Sequence, residues 1–269
     1  MSPPMRYLEI ADDLRRRLDS GEFPVGSVIP GGYVALKEHY GTTQAVLREA
    51  LGILEIEGRV KPIRGTGLVV LDRQQLQRID RGRIVYRDEL GYYFNRVSAS
   101  WSPVKTPTRS WGPAPADIAE LLGVAPNAEV LIRYRILGPD PSTPLQIAVS
   151  YLPADVARDT ILAEAHTGPG GIYDRLEEPE MSHGPLAWRE DVSTRMPERP
   201  EASALKISRN VPLLIITRTA ESGTRPGKIV EVNQTSMSGA KFKVGYDIDR
   251  DETATWPVAL AAAENPPKT

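Results

Sequence analysis

The segment TTQAVLR, residues 42–48, carries side chains whose chemistry matches the edges of DNA base pairs. Gln44 can form two hydrogen bonds with adenine, and Arg48 can form two with guanine. Ala45 can contact the methyl group of thymine, and the Thr43 hydroxyl can bond to a phosphate or a base. If these side chains lie on one exposed helix face, that face can recognise a base sequence in the major groove.

A second candidate contact is the turn formed by Arg64, Gly65, Thr66 and Gly67. The apolar runs VKPI and LVVL flank the turn, and its two glycines suit a tight hairpin connection. One cation on a backbone with little side-chain bulk can approach a phosphate or the minor groove. The turn is therefore predicted as a second DNA contact.

Three predicted helices and a hairpin position these residues. Apolar side chains recur at helical spacing over about residues 6–20, and YVALKEHY follows as a short second helix. Thr42 or Thr43 can cap a third helix, which Gly58 ends. This order of elements is that of a helix-turn-helix followed by a wing. The alternative is a three-helix packing module whose polar face is only solvated.

Composition and charge limit the partners and compartments that the chain can have. Its 269 residues are 41% apolar and 25% charged, which is typical of a globular protein, and they include no cysteine. Residues 1–72 hold nine Lys/Arg against ten Asp/Glu, a net of −1, so a DNA contact depends on local placement of cations. We recognise neither an export signal nor a run of the ~20 apolar residues that span a bilayer, and we expect a cytoplasmic protein.

The second half of the chain contains a candidate anion site. In the strand EVLIRYRIL, Arg133 and Arg135 lie on one face, which is otherwise apolar, and two guanidinium groups so placed can clamp an anion. The alternative is that each pairs with a core or interface carboxylate. Gly171 and Ile172 precede a predicted helix near Tyr173, and the free amides of a helix start also suit an anion.

Residues 6–71 contain three motifs in a fixed order: YLEIADDLRRRLDSGEFPVGSVIP, LREALGILEIEGRV and RGTGLVV. Together they resemble the winged-helix domain of GntR-type transcription regulators, which implies that the third helix docks in the major groove. The chain has PGGYVAL where that family usually has Pro-Ser-x-x-x-Leu. It has TTQAVLR where the family usually has Val-Ser-Arg-x-Thr-Val-Arg, so Thr43 matches the serine, Gln44 replaces an arginine and only Arg48 is retained. The common half-sites of the family are therefore not expected.

Residues from about 92 to 247 contain the motifs PAPADIAELLGV, VLIRYRI, PLQIAVSYLPADV, GGIYDRLEE and KIVEVNQTSMSGAKFKV. They resemble the effector domain of the HutC branch, known as UTRA, which has a chorismate-lyase-like fold. The resemblance implies a small, often anionic effector, and it assigns Glu231 to effector binding. Ala148 and Gly171 stand where the family often has a glutamate and a serine, so an amino-sugar phosphate is not the expected ligand.

The expected fold class is α+β. A winged helix-turn-helix covers residues 1–72, a polar helix or linker covers 73–91, a UTRA-like mixed α/β domain covers 92–247, and a loosely ordered tail covers 248–269. The expected function is that of a homodimeric transcription repressor, bound to an inverted-repeat operator in double-stranded DNA and released by a small-molecule effector. Neither a cofactor nor a metal is expected.

Two alternatives to an effector-controlled regulator stay open. One is a DNA-binding repressor, for example of plasmid transfer genes, whose carboxyl-terminal domain only dimerises. The other is an enzyme on a lyase-like fold. The sequence argues against the enzyme, because His39, His166 and His183 are far apart, lack metal-ligand spacing and identify no catalytic group.

Overall fold

A computed structural model describes residues 6–71, 79–81, 84–88, 91–94, 100–165, 167, 171–245, 248, 250–251 and 253. Residues 6–71 form a unit with its own apolar core, which we call the winged head. Residues 100–245 are built around one large sheet, and we call them the sheet domain. Within the described residues, no helix combines the length and the apolar character needed to cross a membrane.

The winged head has the predicted series of elements: α1 (Arg6–Asp19), α2 (Gly32–His39), α3 (Gln44–Ile56), β1 (Val60–Ile63) and β2 (Gly67–Val70). The apolar stripes of α1 and α3 form its core, because their spacing puts these side chains on one face of each helix. The fully buried members of the stripes on the two helices are Leu14, Leu47, Ala50, Leu51 and Leu54.

Local signals set the ends of α3. Thr43 is the N-cap, and its hydroxyl accepts a hydrogen bond from the Val46 amide at 3.4 Å. Gly58 has a φ of +67° just beyond the other end of the helix. Glycine adopts this left-handed conformation without the strain that a side chain would add, so it ends the helix where the sequence predicts.

The wing is backed by a third stretch of extended chain. β1 and β2 pair antiparallel from Val60↔Val70 to Ile63↔Gly67. On the other side of β2, the Ile29 amide donates to the Leu68 carbonyl at 2.8 Å, and the Val70 amide donates to the Ser27 carbonyl at 2.9 Å. The loop before α2 therefore fixes the wing to the body of the winged head.

The sheet domain contains seven antiparallel strands, in the order β10-β11-β12-β9-β8, with both β6 and β7 paired to β8. The strands are β6 (Ser102–Pro103), β7 (Thr108–Pro113), β8 (Glu129–Gly138), β9 (Gln146–Pro153), β10 (Ala187–Arg195), β11 (Leu213–Glu221) and β12 (Ile229–Ser238). The helices of this domain are α4 (Ala116–Leu122), α5 (Ala154–Ala157), α6 (Gly171–Glu177) and α7 (Arg199–Ala204), with a 3-10 turn at Ile161–Ala163.

Short strands form the described part of the predicted linker. β3 (Ile79–Arg81) pairs parallel with β13 (Phe242–Val244), while β4 (Tyr86–Asp88) and β5 (Gly91–Tyr93) form a hairpin. The helical alternative for residues 73–91 is therefore wrong over these strands. Most of the predicted tail, 248–269, lies outside the described residues.

Candidate nucleic-acid interface and ligand cavity

The start of α3 presents the predicted base-reading residues to solvent. Gln44, Ala45 and Arg48 are exposed on the first turns of the helix, while Leu47 between them is buried in the core. Thr43 is also exposed, but its hydroxyl accepts the Val46 amide as the helix cap. The four side chains occupy one continuous surface, and in this state Thr43 stabilises the helix that carries the other three.

The wing tip is exposed from Arg64 to Gly67. Gly65 and Gly67 have φ values of +82° and +116°, so both adopt backbone conformations that side chains rarely tolerate. A Cβ atom on Gly67 would also lie 3.0 Å from Cγ1 of Val28, which is tighter than an ordinary contact. These glycines allow the turn to close against the loop behind it and hold Arg64 at the tip.

A cavity of about 210 Å³ lies between one face of the large sheet and the start of α6, and we call it the sheet cavity. Five of the six predicted effector residues belong to its wall, and the exception is Arg133. Its lining is Tyr92, Phe94, Arg135, Leu137, Gln146, Ala148, Gly171, Ile172, Tyr173, Arg218, Glu231, Asn233 and Thr235.

Strand register explains why distant residues meet in this cavity. Arg135 pairs with Ala148 across β8 and β9, and Ala148 pairs with Thr235 on β12. Asn233, two residues before Thr235 on β12, pairs with Arg218 on β11. Because side chains alternate between the two faces of a strand, these residues all lie on the same face of the sheet.

Arg218 is the most buried cation of the sheet cavity, and it is not among the residues predicted from the sequence. Its side chain is 5% exposed, its Nε donates to Oε1 of Glu190 at 2.8 Å, and its guanidinium carbon lies 3.1 Å from the ring centroid of Phe94. Burial favours loss of its proton, but contacts with Tyr173 and Glu190 leave the pKa of Arg218 raised. One signal was available: Arg218 is the single charge inside the apolar run LLIITRTA.

Two buried polar atoms at the sheet cavity have no hydrogen-bond partner among the described residues. They are Nε of Arg135 and Oε2 of Glu231, whose side chain is 1% exposed. The Arg135 guanidinium is oriented by its Nη2, which donates to the Ser150 hydroxyl at 2.7 Å. Buried polar groups are normally hydrogen-bonded. A ligand in this cavity could therefore accept a hydrogen bond from Nε of Arg135 and donate one to Oε2 of Glu231.

Arg133 and Arg135 have different environments, although both lie on the same face of β8. The Nη1 of Arg133 donates to the carbonyl oxygens of Leu162 at 2.6 Å and Glu164 at 2.8 Å. Burial lowers the pKa of Arg133, and the cations Arg135 and Arg109 lower it further. The hydrogen-bond partners of Arg133 are therefore carbonyl groups rather than the carboxylates considered as the alternative. Arg133 also lines a neighbouring recess of about 310 Å³, which Arg135 lines as well.

Helix α6 joins the sheet cavity to the β4–β5 hairpin. Its residues Gly171, Ile172 and Tyr173 line the cavity, and burial together with the charge of Glu231 raises the pKa of Tyr173. On the same helix, Asp174 accepts from Nε of Arg87 at 3.0 Å. The neighbouring Gly170 lies outside the described residues.

A second contact ties this helix to the hairpin. The Tyr92 hydroxyl donates to Oε2 of Glu177 at 2.5 Å, and this bond, with burial, raises the pKa of Tyr92 to about 12. Phe94 packs on Tyr173 and Trp188 with ring centroids 5.6 and 5.7 Å away. Tyr92 and Phe94 therefore belong to the cavity wall and also to the segment that follows the predicted linker. Neither residue was predicted from the sequence.

These two sites define a class of protein: a winged head with an exposed polar surface at the start of its third helix, followed by a domain with a polar cavity. Residues 6–70 match the family described as bacterial regulatory proteins, gntR family, and residues 105–243, about half of the chain, match the UTRA domain. The chain belongs to the GntR family of bacterial transcription regulators and carries a UTRA domain. The resemblances to GntR-type regulators and to a UTRA domain are confirmed, as is the predicted α+β fold class.

Individual relatives agree with this assignment. An uncharacterized HTH-type transcriptional regulator of Rhizobium meliloti is 24% identical over 241 residues, which cover 88% of this chain and 93% of the relative. The Exu regulon transcriptional regulator of Escherichia coli is 33% identical over 72 residues, 27% of this chain and 28% of that protein.

Among solved structures, a GntR-family transcriptional regulator aligns with a TM-score of 0.57 and 22% identity, covering 93% of this chain and 99% of the other. At this identity the likeness concerns the fold. The matched families and relatives are transcription regulators, so the chain is a regulator and not an enzyme.

Proposed function

We propose that the chain is a homodimeric repressor of the HutC branch that binds an inverted-repeat operator. In each protomer, α3 enters a major groove with Gln44, Ala45 and Arg48 toward the bases. Thr43 lies toward a phosphate or base, and Arg64 on the wing contacts a phosphate or the minor groove. Two heads related by a two-fold axis require two half-sites related in the same way. We further propose that the regulator acts in the cytoplasm.

The observation that carries the DNA-binding part is the exposed surface at the start of α3. Gln44 and Arg48 project from the first turns of a helix whose opposite face is fully buried. Neither side chain forms a hydrogen bond or ion pair with another residue in the described part of the chain, and both chemical groups recognise base edges. The wing supports the proposal, because its tip carries Arg64 on the exposed hairpin turn.

We propose that the sheet cavity binds a small effector that carries both an anionic group and a hydrogen-bond donor. The unpartnered Nε of Arg135 supports the anionic group, and the unpartnered Oε2 of Glu231 supports the donor. Arg218 adds a second cation, which is buried, and Gly171, Ile172 and Tyr173 form the wall on α6. Arg133 lines the neighbouring recess together with Arg135 and adds positive charge there.

The contacts of α6 provide a route from the effector to the winged head. A ligand that moves α6 also moves Asp174 and Glu177, which hold Arg87 and Tyr92 of the hairpin. Strand β4 of the hairpin, which carries Arg87, lies in the predicted linker between the two domains. Release of DNA requires that the effector bind the two conformations with different affinity, since equal affinity shifts no equilibrium.

A gel shift with DNA from the upstream region of the chain's own gene tests this proposal. In excess random competitor and physiological salt, we expect a discrete complex that Arg48→Ala weakens and Lys105→Ala, in the sheet domain, leaves unchanged. A complex that random DNA abolishes equally would contradict specific operator binding.

A thermal-shift screen of small hydroxy and amino acids then tests the effector, because a ligand of the folded state raises the melting temperature. We expect a stabilising compound whose effect Glu231→Gln removes and which dissociates the DNA complex. Stabilisation without release of DNA, or specific DNA binding with no stabilising compound, would favour the alternative in which the sheet domain only dimerises.

A further inference from the structure

The winged head and the sheet domain meet at a polar interface that involves α3 and the wing. Nζ of Lys61, on β1, donates to the carbonyl oxygen of Lys206 at 2.7 Å, and the Ser208 hydroxyl donates to the Glu55 carboxylate at the end of α3. A Cβ atom on Gly52 would lie 3.2 Å from Nδ2 of Asn210. The segment after α7 therefore touches both DNA-binding elements of the winged head.

This interface encloses a cavity of about 240 Å³, which we call the interdomain cavity. Val60 and Leu71 of the winged head and Ile207 and Val211 of the sheet domain give it apolar walls. The cavity is smaller than the ~300 Å³ or more of sites for drug-sized molecules. It has room for a small molecule with a compact apolar body.

Three lysines line the cavity: Lys61 from β1 of the winged head, and Lys206 and Lys241 from the sheet domain. Burial lowers the pKa of Lys61, and the cation of Lys206 lowers it further. Burial also lowers the pKa of Lys241, and there the additional charge is Lys61. Each ammonium group thus loses water and faces another cation, although partly buried lysines are normally paired with an acid.

The carboxylate that also lines the cavity does not neutralise these lysines. Glu55 accepts the Ser208 hydroxyl, and the charges that act on the pKa values of Lys61 and Lys241 are those of lysines. Lys206 directs its own ammonium to the Ser142 carbonyl at 2.8 Å. Lys61 uses one of its three N–H donors for the Lys206 carbonyl, so donors remain for an anion.

We propose that the interdomain cavity is a second ligand site, which binds a small carboxylate with a compact apolar body between Lys61 and Lys241. The carboxylate satisfies both ammonium groups, and the apolar body fills the space between Val60 and Val211. Because the two lysines belong to different domains, the ligand holds the winged head against the sheet domain. The site is separate from the sheet cavity and does not depend on an effector there.

Isothermal titration calorimetry of the full-length protein with benzoate tests this site, with benzamide as the uncharged analogue of the same shape. We expect one saturable benzoate site per chain and benzamide binding at least about tenfold weaker. Lys61→Met and Lys241→Met keep most of the aliphatic stem and remove the charge. Each should weaken benzoate at least about tenfold, or ~1.4 kcal/mol.

Two control variants locate the binding. Lys37→Met removes an exposed lysine from α2, and Arg135→Gln removes a cation from the sheet cavity; neither should change benzoate affinity. Benzoate should also raise the melting temperature of the wild type and not that of Lys241→Met, whose circular dichroism shows whether it is folded.

The absence of saturable benzoate binding in the millimolar range would overturn the proposal. Equal affinity in the wild type and both lysine variants would do so as well. A loss of binding confined to Arg135→Gln would assign benzoate to the sheet cavity and remove the second site, while leaving the proposed effector site intact.

Discussion

The proposed DNA-reading surface, formed by Thr43, Gln44, Ala45 and Arg48, and the sheet cavity use polar side chains in opposite ways. Gln44 and Arg48 are exposed and come from one turn and a half of a single helix, whereas Arg218 and Glu231 are 5% and 1% exposed and come from different strands. An exposed polar residue can change with little effect on folding, while a buried one is also part of the core. The two sites should therefore respond differently to substitution.

The largest difference is expected for cations of the sheet domain. Arg218→Ala removes the buried guanidinium that donates to Glu190 and should lower the free energy of unfolding by about 3 kcal/mol. The matched control is Arg189→Ala on the adjacent strand β10, because Arg189 forms an exposed pair with Asp191 and should contribute less than ~1 kcal/mol. Urea unfolding of both variants measures the difference, and equal losses would mean that burial of Arg218 has no energetic consequence.

At the DNA-reading surface, the loss should appear in binding rather than in folding. Arg48→Ala is expected to cost ~1–3 kcal/mol of specific binding if the side chain reads a base, with unfolding unchanged within ~0.5 kcal/mol. Arg64→Ala should weaken operator and random DNA alike if the wing holds phosphate. Fluorescence anisotropy on both DNAs measures these effects, and equal loss on both for Arg48→Ala would contradict its base-reading role.

Thr43 tests whether a residue of the exposed surface can also support the fold. Thr43→Ala removes the hydroxyl that caps α3 and should destabilise the winged head by ~1 kcal/mol. Thr43→Ser retains a capping hydroxyl and should restore most of this stability, and Thr42→Ala, one residue outside the cap, is the control. Thermal unfolding followed by circular dichroism measures the series; identical melting of Thr43→Ala and wild type would show that the cap adds nothing.

The smallest effect is expected at Glu55, which lies between the two regions. Burial raises the pKa of Glu55 above the usual 4.5, so the folded protein binds this proton more tightly than the unfolded chain. The resulting stability is complete below pH ~4.5 and is lost as the pH rises through the raised pKa. Glu55→Gln cannot ionise, so the stability of the wild type relative to this variant should fall between pH 4.5 and 7. If the urea midpoints of the wild type and of Glu55→Gln change in parallel across that range, the prediction is refuted.

The winged head could be predicted nearly to the residue, because its signals are local. Capping by Thr43, the helix stop at Gly58 and the glycines of the wing each act within a few residues of their position. Its candidate contacts are also nearly contiguous in sequence, which allowed the exposed face of α3 to be chosen from residues 43–48.

The sheet cavity could be predicted only in part, because its wall comes from separate segments. Arg135 and Glu231 were selected from strand alternation and from the family resemblance, whereas Arg218 and Phe94 were not. The pairing of Arg218 with Asn233 and the approach of Phe94 to Arg218 depend on strand order and on the path of the chain after the linker. The same dependence on tertiary structure separates Arg133, held by two carbonyl groups, from Arg135, two residues away.

The strand-like support behind the wing has a consequence for the thermodynamics of association. Hydrogen bonds from the Ile29 amide to the Leu68 carbonyl and from the Val70 amide to the Ser27 carbonyl order the hairpin before any partner arrives. A loop that is disordered in the free protein loses conformational entropy on binding, and this loss reduces the net affinity. In the proposed complex, Arg64 sits on a turn whose base is already fixed, so its contact with DNA is made with a smaller entropic cost than a free loop would incur.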